Sequence, residues 1–253
     1  MDMSSTSFLF LSSALPSELL TYILNHDTYP TTLIICSTRA DFISSLVNDA
    51  GGETALKNSP AEDSTEAPDP EDGKLEKEAM RQRFQSSPLY QIATSRHIRV
   101  AYIPTVTHLR AYLSVFSPEE SPTLAPPANY KSSRVECPRI ILFGFLDLHR
   151  DTSEWSAQGL GNSLSTLVEL AYRLSWEAAI IEPRNRNSSS AFEDVLKEHV
   201  PFLSGGGRRP NLDSGEGGWL GRTVEMGRVM KRWFRFERGQ WDAGSSKEGT
   251  SLS

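Results

Sequence analysis

The sequence predicts an α/β fold with a mostly parallel central sheet. Five short apolar runs alternate along the chain with segments whose apolar residues recur at helical spacing, so that four helices separate five strands. Strands joined through helices run parallel, with right-handed crossovers. A chain of 253 residues is long enough to bury a core, and we expect one domain over 1–242.

The first two predicted strands are residues 8–11 and 32–36, and each precedes a predicted helix. In both helices, apolar residues recur at positions i, i+1, i+4 and i+5, which places them on one helix face. They are Leu19, Leu20, Ile23 and Leu24 in the first helix, and Phe42, Ile43, Leu46 and Val47 in the second.

The remaining strands are predicted at 97–103, 139–146 and 177–181, the last ending near Pro183. Residues 139–146 form the most continuous apolar run, which is typical of a central strand covered on both faces. The predicted helix faces are Val106, Leu109, Leu113 and Phe116 after the third strand, and Leu164, Leu167, Val168, Ala171 and Leu174 after the fourth.

Three segments have the composition of loops, and the chain end resembles a tail. Residues 51–79 are acidic, contain proline and lack aromatic residues, which predicts a disordered insertion at about 51–79. Residues 117–133 are rich in proline, and residues 203–218 are rich in glycine. Residues 243–253 are predicted to form a disordered tail.

Composition argues against several classes of protein. The net charge of −6 gives no overall attraction to nucleic acid or to an anionic membrane, so such binding has to be local. Cys36 and Cys137 form neither a metal-ligand spacing nor a disulfide framework. No run reaches the ~18 apolar residues of a membrane span, so we expect an intracellular protein without membrane contact.

The link between the first strand and its helix has the outline of a phosphate-binding loop without its chemistry. Such a loop reads G-x-x-x-x-G-K-[ST], because glycine N–H groups surround the phosphates, lysine reaches them and the hydroxyl holds Mg²⁺. Here Ser12 and Ser17 replace the glycines, Glu18 replaces the lysine, and Leu19 replaces the hydroxyl residue. A carboxylate near a polyphosphate is repulsive, so we expect no bound nucleotide and no cofactor.

The fourth strand lacks the second half of a nucleotide-hydrolysis site. In P-loop proteins of the RecA type, a later apolar strand ends in an acidic residue that supports Mg²⁺ and water. The run "RIILF" is instead followed by Gly144, and Asp147 comes three residues later. These two elements, the Walker motifs of a P-loop protein, are therefore both predicted to be degenerate. We expect no metal site.

The order of these segments resembles that of a diverged RecA-like recombinase paralogue. The segments are the first strand with its empty loop, "TTLIICSTRADFISSLV", "RHIRVAYIPTVTHLRAYLSVF" and "PRIILFGFLDLHRDTSEW". They are similar to the small RecA-like subunits of Shu complexes, the partners of SWIM-domain proteins. The resemblance covers about residues 7–182 and 223–241.

The resemblance implies a RecA-like P-loop fold and a nuclear role in DNA repair. We expect a non-catalytic subunit of a homologous-recombination complex that responds to DNA damage through protein–protein contacts. Its implied partner is a SWIM-domain protein or a recombinase paralogue, with single-stranded DNA as a further ligand.

A basic, aromatic segment near the C-terminus is the candidate DNA or partner contact. In residues 219–241, six cations and two carboxylates leave a net charge of +4, and five aromatic residues lie among them. Single-stranded DNA binds such mixtures, because bases stack on rings while cations follow phosphates. The alternating residues 231–241 equally fit an edge strand with one charged face. The candidate residues are Arg222, Arg228, Lys231, Arg232, Trp233 and Arg235.

Two other functions stay open. One is a small hydrolase-like α/β enzyme with its site at the carboxyl ends of the strands, with Ser12, Ser13 or Ser17 as nucleophile candidates after the first strand and His149 after the fourth. No G-x-S-x-G elbow supports it. The other is a scaffold without a DNA role. The "HRD" at residues 149–151 lacks the rest of a kinase signature.

Overall fold

The computed structural model describes residues 7–26, 29–57, 88–119, 123, 137–184, 192–203 and 222–242. The strands are β1 (Phe8–Ala14), β2 (Thr31–Ile35), β3 (Ile98–Tyr102), β4 (Arg139–Phe143), β5 (Glu177–Pro183), β6 (His199–Pro201), β7 (Thr223–Glu225) and β8 (Arg235–Glu237). The helices are α1 (Pro16–His26), α2 (Arg39–Lys57), α3 (Pro88–Ser95), α4 (Val106–Val115), α5 (Phe145–His149), α6 (Ala157–Leu174), α7 (Phe192–Lys197) and α8 (Met226–Met230).

Six strands form one parallel sheet in the order β3-β2-β4-β5-β1-β8. The predicted α/β class with a mostly parallel sheet is confirmed, and β4 lies inside the sheet with both neighbours paired. The first strand is also interior, since β5 and β8 pair with its two sides. Strands β6 and β7 form a separate antiparallel ribbon.

Helices cover both faces of the sheet in the pattern that a single crossover hand requires. The steps from β1 to β2 to β3 run toward one edge, and α1 and α2 pack on one face with Leu19, Ile23 and Phe42. The later steps run toward the other edge, and α4, α6 and α8 pack on the opposite face. When connections keep the same right-handed crossover but run toward the opposite edge of the sheet, their helices lie on the opposite face.

The predicted core faces of α4 and α6 are largely confirmed. Val106, Leu109, Leu113 and Phe116 are all buried, as are Leu164, Leu167 and Ala171. Each helix begins at a capping hydroxyl, because the N–H groups of the first turn lack partners within the helix. Thr105 Oγ1 accepts from the N–H of His108 at 3.2 Å, and Ser156 Oγ accepts from that of Gly159 at 3.0 Å.

Helix α2 differs from its prediction in burial and in length. Only Phe42 of the predicted face is fully buried, against Tyr102 and Phe143, whereas Ile43 and Val47 are 42% and 62% exposed. The reason is that β3 is the edge strand among the described strands, so the helix has no described strand beyond β3 to cover. The helix also continues to Lys57, through the start of the predicted insertion.

Strand β4 ends three residues earlier than predicted. Its last residue is Phe143, and Gly144 adopts the left-handed conformation, with φ of 83°. Glycine enters this region without a Cβ clash, so the chain turns sharply there into α5. Phe145 and Leu146 are buried as predicted for an apolar run, but from a helix. An apolar run alone does not distinguish a buried strand from a buried helix.

The rest of the predicted insertion and the predicted tail lie outside the described residues, as do most of the two predicted connectors. Among the helices that the structure describes, none combines the length and the apolar character needed to cross a bilayer.

Candidate functional site

The carboxyl ends of β1 and β5 form a natural position for a ligand. These strands are neighbours, but the helix after β1 lies on one face and the helices after β5 lie on the other. A crevice opens where neighbouring strands connect in opposite directions, and ligands of open α/β sheets bind there. This switch point contains the link between β1 and α1 that the sequence singled out.

Two carboxylates of the chain itself occupy the start of α1. Oε2 of Glu18 accepts the N–H of Leu15 at 2.8 Å, and Oδ2 of Asp49 accepts the N–H of Ser17 at 3.0 Å. Free N–H groups at a helix start normally attract external anions. Here the chain's own side chains use two of these donors.

Arg184 completes this cluster from the end of β5. Its Nη2 lies 2.7 Å from Oε2 of Glu18. Burial raises the pKa of the Glu18 carboxyl, while the N–H of Leu15 and the charge of Arg184 lower it. Sequence reasoning missed Asp49 and Arg184, because they are distant from Glu18 in sequence and no motif connects them. We call Glu18, Asp49 and Arg184 the carboxylate plug.

Ser12 and Ser13, which the sequence placed after the first strand, lie in β1, because this strand continues to Ala14. Oγ of Ser12 accepts the N–H of Gly239 at 2.9 Å, and Ser12 is buried. The carbonyl of Ser13 accepts the indole N–H of Trp241 at 3.0 Å. The segment after β8 therefore packs against this end of β1.

A buried carboxyl lies at the end of β5. Glu182 is 4% exposed, and its Oε1 accepts the N–H of Leu146 at the start of α5 at 2.9 Å. Burial and the neighbouring Asp147 raise the pKa of this carboxyl to about 8. Its only sequence signal is a charged residue at the end of the apolar run "AAII".

No metal centre is formed in the part of the chain that the structure describes. Within those residues, no three His, Cys, Asp or Glu side chains are grouped in a way that could hold a metal ion. Asp147 instead forms a salt bridge with Arg150, which also pairs with Glu198.

The structure places His149 in a buried polar network. Its Nδ1 lies 2.8 Å from the carbonyl of Phe145, so this nitrogen carries the proton, and its Nε2 lies 2.9 Å from Oγ of Ser163. Oγ of Ser163 also accepts from Nε of Arg110 at 2.9 Å. The ring hydrogen bonds thus go to Phe145 and Ser163, and to none of Ser12, Ser13 and Ser17.

The candidate cations lie on one stretch of chain and are exposed. Arg222 precedes β7, Arg228 lies on α8, Lys231 and Arg232 follow α8, and Arg235 begins β8. Among the described residues, none of the first four has a carboxylate partner within 4.0 Å. Arg235 donates to Oγ of Ser7 at 3.1 Å and lies 3.9 Å from Glu237.

Three of the five aromatic residues that were expected beside these cations pack into the protein instead. Phe234 is buried, Phe236 packs against Phe10 and Phe192, and Trp241 packs against Tyr22. Trp219 lies outside the described residues. These rings serve the core because β8 pairs with β1, as the alternative of an edge strand predicted.

Two rings remain near the cations. Trp233 is half-buried beneath the guanidinium of Arg232, at 4.9 Å from the ring centroid. Phe202, which sequence reasoning missed, is 45% exposed, and its N–H donates to the carbonyl of Arg222 at 2.7 Å. This bond makes Phe202 and Arg222 the next opposite pair after those of β6 and β7. Opposite residues of antiparallel strands lie on the same face, so Phe202 and Arg222 share a face. We call Phe202, Arg222, Arg228, Lys231 and Arg232 the basic surface.

No protein-family model matches the chain, and no curated protein matches it.

Proposed function

We propose that this chain is a non-catalytic, RecA-like subunit of a homologous-recombination DNA-repair complex. In this proposal the P-loop architecture is retained with degenerate Walker motifs, and the protein works in the nucleus by contact. Its partner is a SWIM-domain protein or a recombinase paralogue, and the basic surface binds single-stranded DNA.

The carboxylate plug is the observation that supports a non-catalytic role most strongly. A P-loop protein uses the N–H groups between its first strand and helix to hold phosphate oxygens. In this chain Glu18 and Asp49 accept such bonds from inside the protein, and both are acidic. A triphosphate at this position would have to displace two carboxylates against their charge.

The basic surface supports a DNA contact. Four exposed cations without a carboxylate partner among the described residues are available to phosphates. Each phosphate that a cation neutralises releases counterions, so affinity falls as salt rises. Phe202 and the Arg232–Trp233 pair offer rings beside these charges, and a stacked base contributes about 1–3 kcal/mol.

DNA binding is tested with the full chain and a fluorescent oligothymidylate, by anisotropy over a range of salt. Wild type binds, and its affinity falls linearly on a log–log plot against salt. Replacing both Arg228 and Arg232 with Glu abolishes binding. The matched control replaces Arg96 and Arg173, two exposed arginines elsewhere on the protein, with Glu in the same way. This control variant still binds the oligothymidylate. Equal binding by the two double variants would contradict the proposed DNA contact.

The complex is tested in cells treated with a DNA-damaging agent. Affinity purification of the tagged chain recovers a recombinase or a SWIM-domain protein, because the proposed role depends on those contacts. Recovery of metabolic enzymes alone would instead favour the alternative of a small enzyme.

A further inference from the structure

A cavity lies at the end of the sheet opposite to the carboxylate plug, where the strands begin. It has a volume of about 200 Å³ and lies at the amino ends of β2 and β3, beside the residue that precedes β5. Thr31 and Thr32 line it from β2, Arg99 lines it from β3, and Trp176 lines it from the start of β5. We call it the amino-edge cavity. Nothing in the proposed function uses it.

Aromatic rings form much of its wall. Phe116 and Trp176 are both 6% exposed and meet edge to face, with centroids 5.8 Å apart. Tyr29 and His97 form a second edge-to-face pair at 6.4 Å. Ring edges and faces arranged in this way suit a planar, apolar body. The volume is below the ~300–1,000 Å³ of sites for drug-sized ligands, so the ligand is small.

Arg99 supplies a positive charge that no carboxylate neutralises in the described part of the chain. Its guanidinium lies over the ring of Phe116, 4.9 Å from the centroid, and its Nη1 donates to the carbonyl of Ser117 at 3.4 Å. No carboxylate of the described residues pairs with it. The ring of Tyr112 is also near, at 5.6 Å, and contacts with ring faces leave the N–H donors in the guanidinium plane for a carboxylate.

A negative charge beside the amino-edge cavity affects which anions can bind there. Glu119 is exposed and also lines the cavity. Its negative charge opposes a doubly charged phosphate more strongly than a singly charged carboxylate. We infer that the amino-edge cavity binds a small aromatic carboxylate, with its ring among Phe116, Trp176 and Tyr29 and its carboxylate on Arg99.

The test uses the full chain and three probes: benzoate, phenyl phosphate and the neutral benzyl alcohol. Ligand-observed NMR titration of wild type gives saturable benzoate binding, weaker binding of phenyl phosphate and the weakest binding of benzyl alcohol. Arg99→Gln weakens benzoate about tenfold or more and leaves benzyl alcohol unchanged, because it removes a charge-assisted contact. The control Arg96→Gln changes an exposed arginine next to the same strand and has no effect.

A second measurement remains valid if Arg99→Gln fails to fold. In wild type, intermolecular NOEs from bound benzoate reach the ring protons of Trp176 and Phe116. Absence of saturable benzoate binding, equal affinity for benzyl alcohol, or NOEs to other rings would each overturn the inference.

Discussion

The buried carboxyl of Glu182 makes the stability of this protein depend on pH in a specific direction. Its pKa is about 8 in the folded protein and 4.5 in the unfolded chain. The folded state therefore holds a proton that the unfolded state releases near neutral pH. The stability that protonated Glu182 contributes to the folded state is fully present below about pH 4.5 and is lost as pH rises through about 8.

The magnitude follows from this difference. One pKa unit corresponds to ~1.4 kcal/mol, so raising the pH from about 5 to about 8 costs the wild type about 3 kcal/mol of unfolding free energy at this residue. Glu182→Gln imitates the protonated carboxyl and retains an oxygen for the N–H of Leu146. The stability of the variant relative to wild type therefore increases by about 3 kcal/mol over that range.

Urea denaturation followed by circular dichroism at about pH 5 and about pH 8 measures this quantity directly. The matched control is Glu169→Gln on the exposed side of α6, for which the difference from wild type is the same at both pH values. If the Glu182→Gln difference is also independent of pH, the carboxyl is ionised in the folded protein and the reasoning is wrong.

Three further predictions concern helix packing, the histidine network and the carboxylate plug. Gly159→Ala costs about 2 kcal/mol or more, since the added Cβ would lie 2.2 Å from the carbonyl oxygen of Glu154. Gly161→Ala stabilises α6 by about 0.5–1 kcal/mol, because no described atom beyond the neighbouring helix turns would lie within 4 Å of its Cβ; thermal unfolding compares the two variants. Burial lowers the pKa of His149 below the 6.5 of the unfolded chain, so the stability that the neutral ring contributes is fully present above about pH 6.5 and is lost as pH falls below that value through the lowered pKa of the folded state; His149→Gln removes this acid-side loss in pH-dependent denaturation. Glu18→Ala costs about 1–2 kcal/mol in urea denaturation, because the N–H of Leu15 loses its acceptor and Arg184 loses its contact with Glu18; an unchanged midpoint would contradict the plug.

The sequence was sufficient to predict the parallel sheet and most of the buried helix faces, because these depend on local hydrophobic periodicity. Val106, Leu109 and Leu113 are buried as their spacing predicted. The extent of burial on α2 was not predictable in this way. Ile43 and Val47 also have helical spacing but lie near the edge of the sheet, and the position of a strand in the sheet is a property of the whole topology.

The candidate sites depended more on tertiary contacts. The exposed positions of Arg228 and Arg232 were predictable from charge, whereas the rings of Phe234 and Phe236 were expected beside them and pack inward instead. Pairing of β8 with β1 determines this, and the alternation of residues 231–241 indicated it only through the alternative of an edge strand.

The carboxylate plug could be predicted only in part. Glu18 was identified as incompatible with a polyphosphate from its position after the first strand. Its hydrogen bond to Leu15 is local, but Arg184 is 166 residues away, and Asp49 reaches Ser17 across 32 residues. Contacts of this range follow from the order of the strands and from helix packing.

Calorimetric titration of the full chain with MgATP tests the central claim most directly. The account predicts no saturable heat up to millimolar nucleotide, because Glu18 and Asp49 accept the N–H groups that a phosphate would need. Micromolar binding that is lost in a Ser17→Pro variant, which removes one of these N–H groups, would show that phosphates displace the plug and would contradict the account.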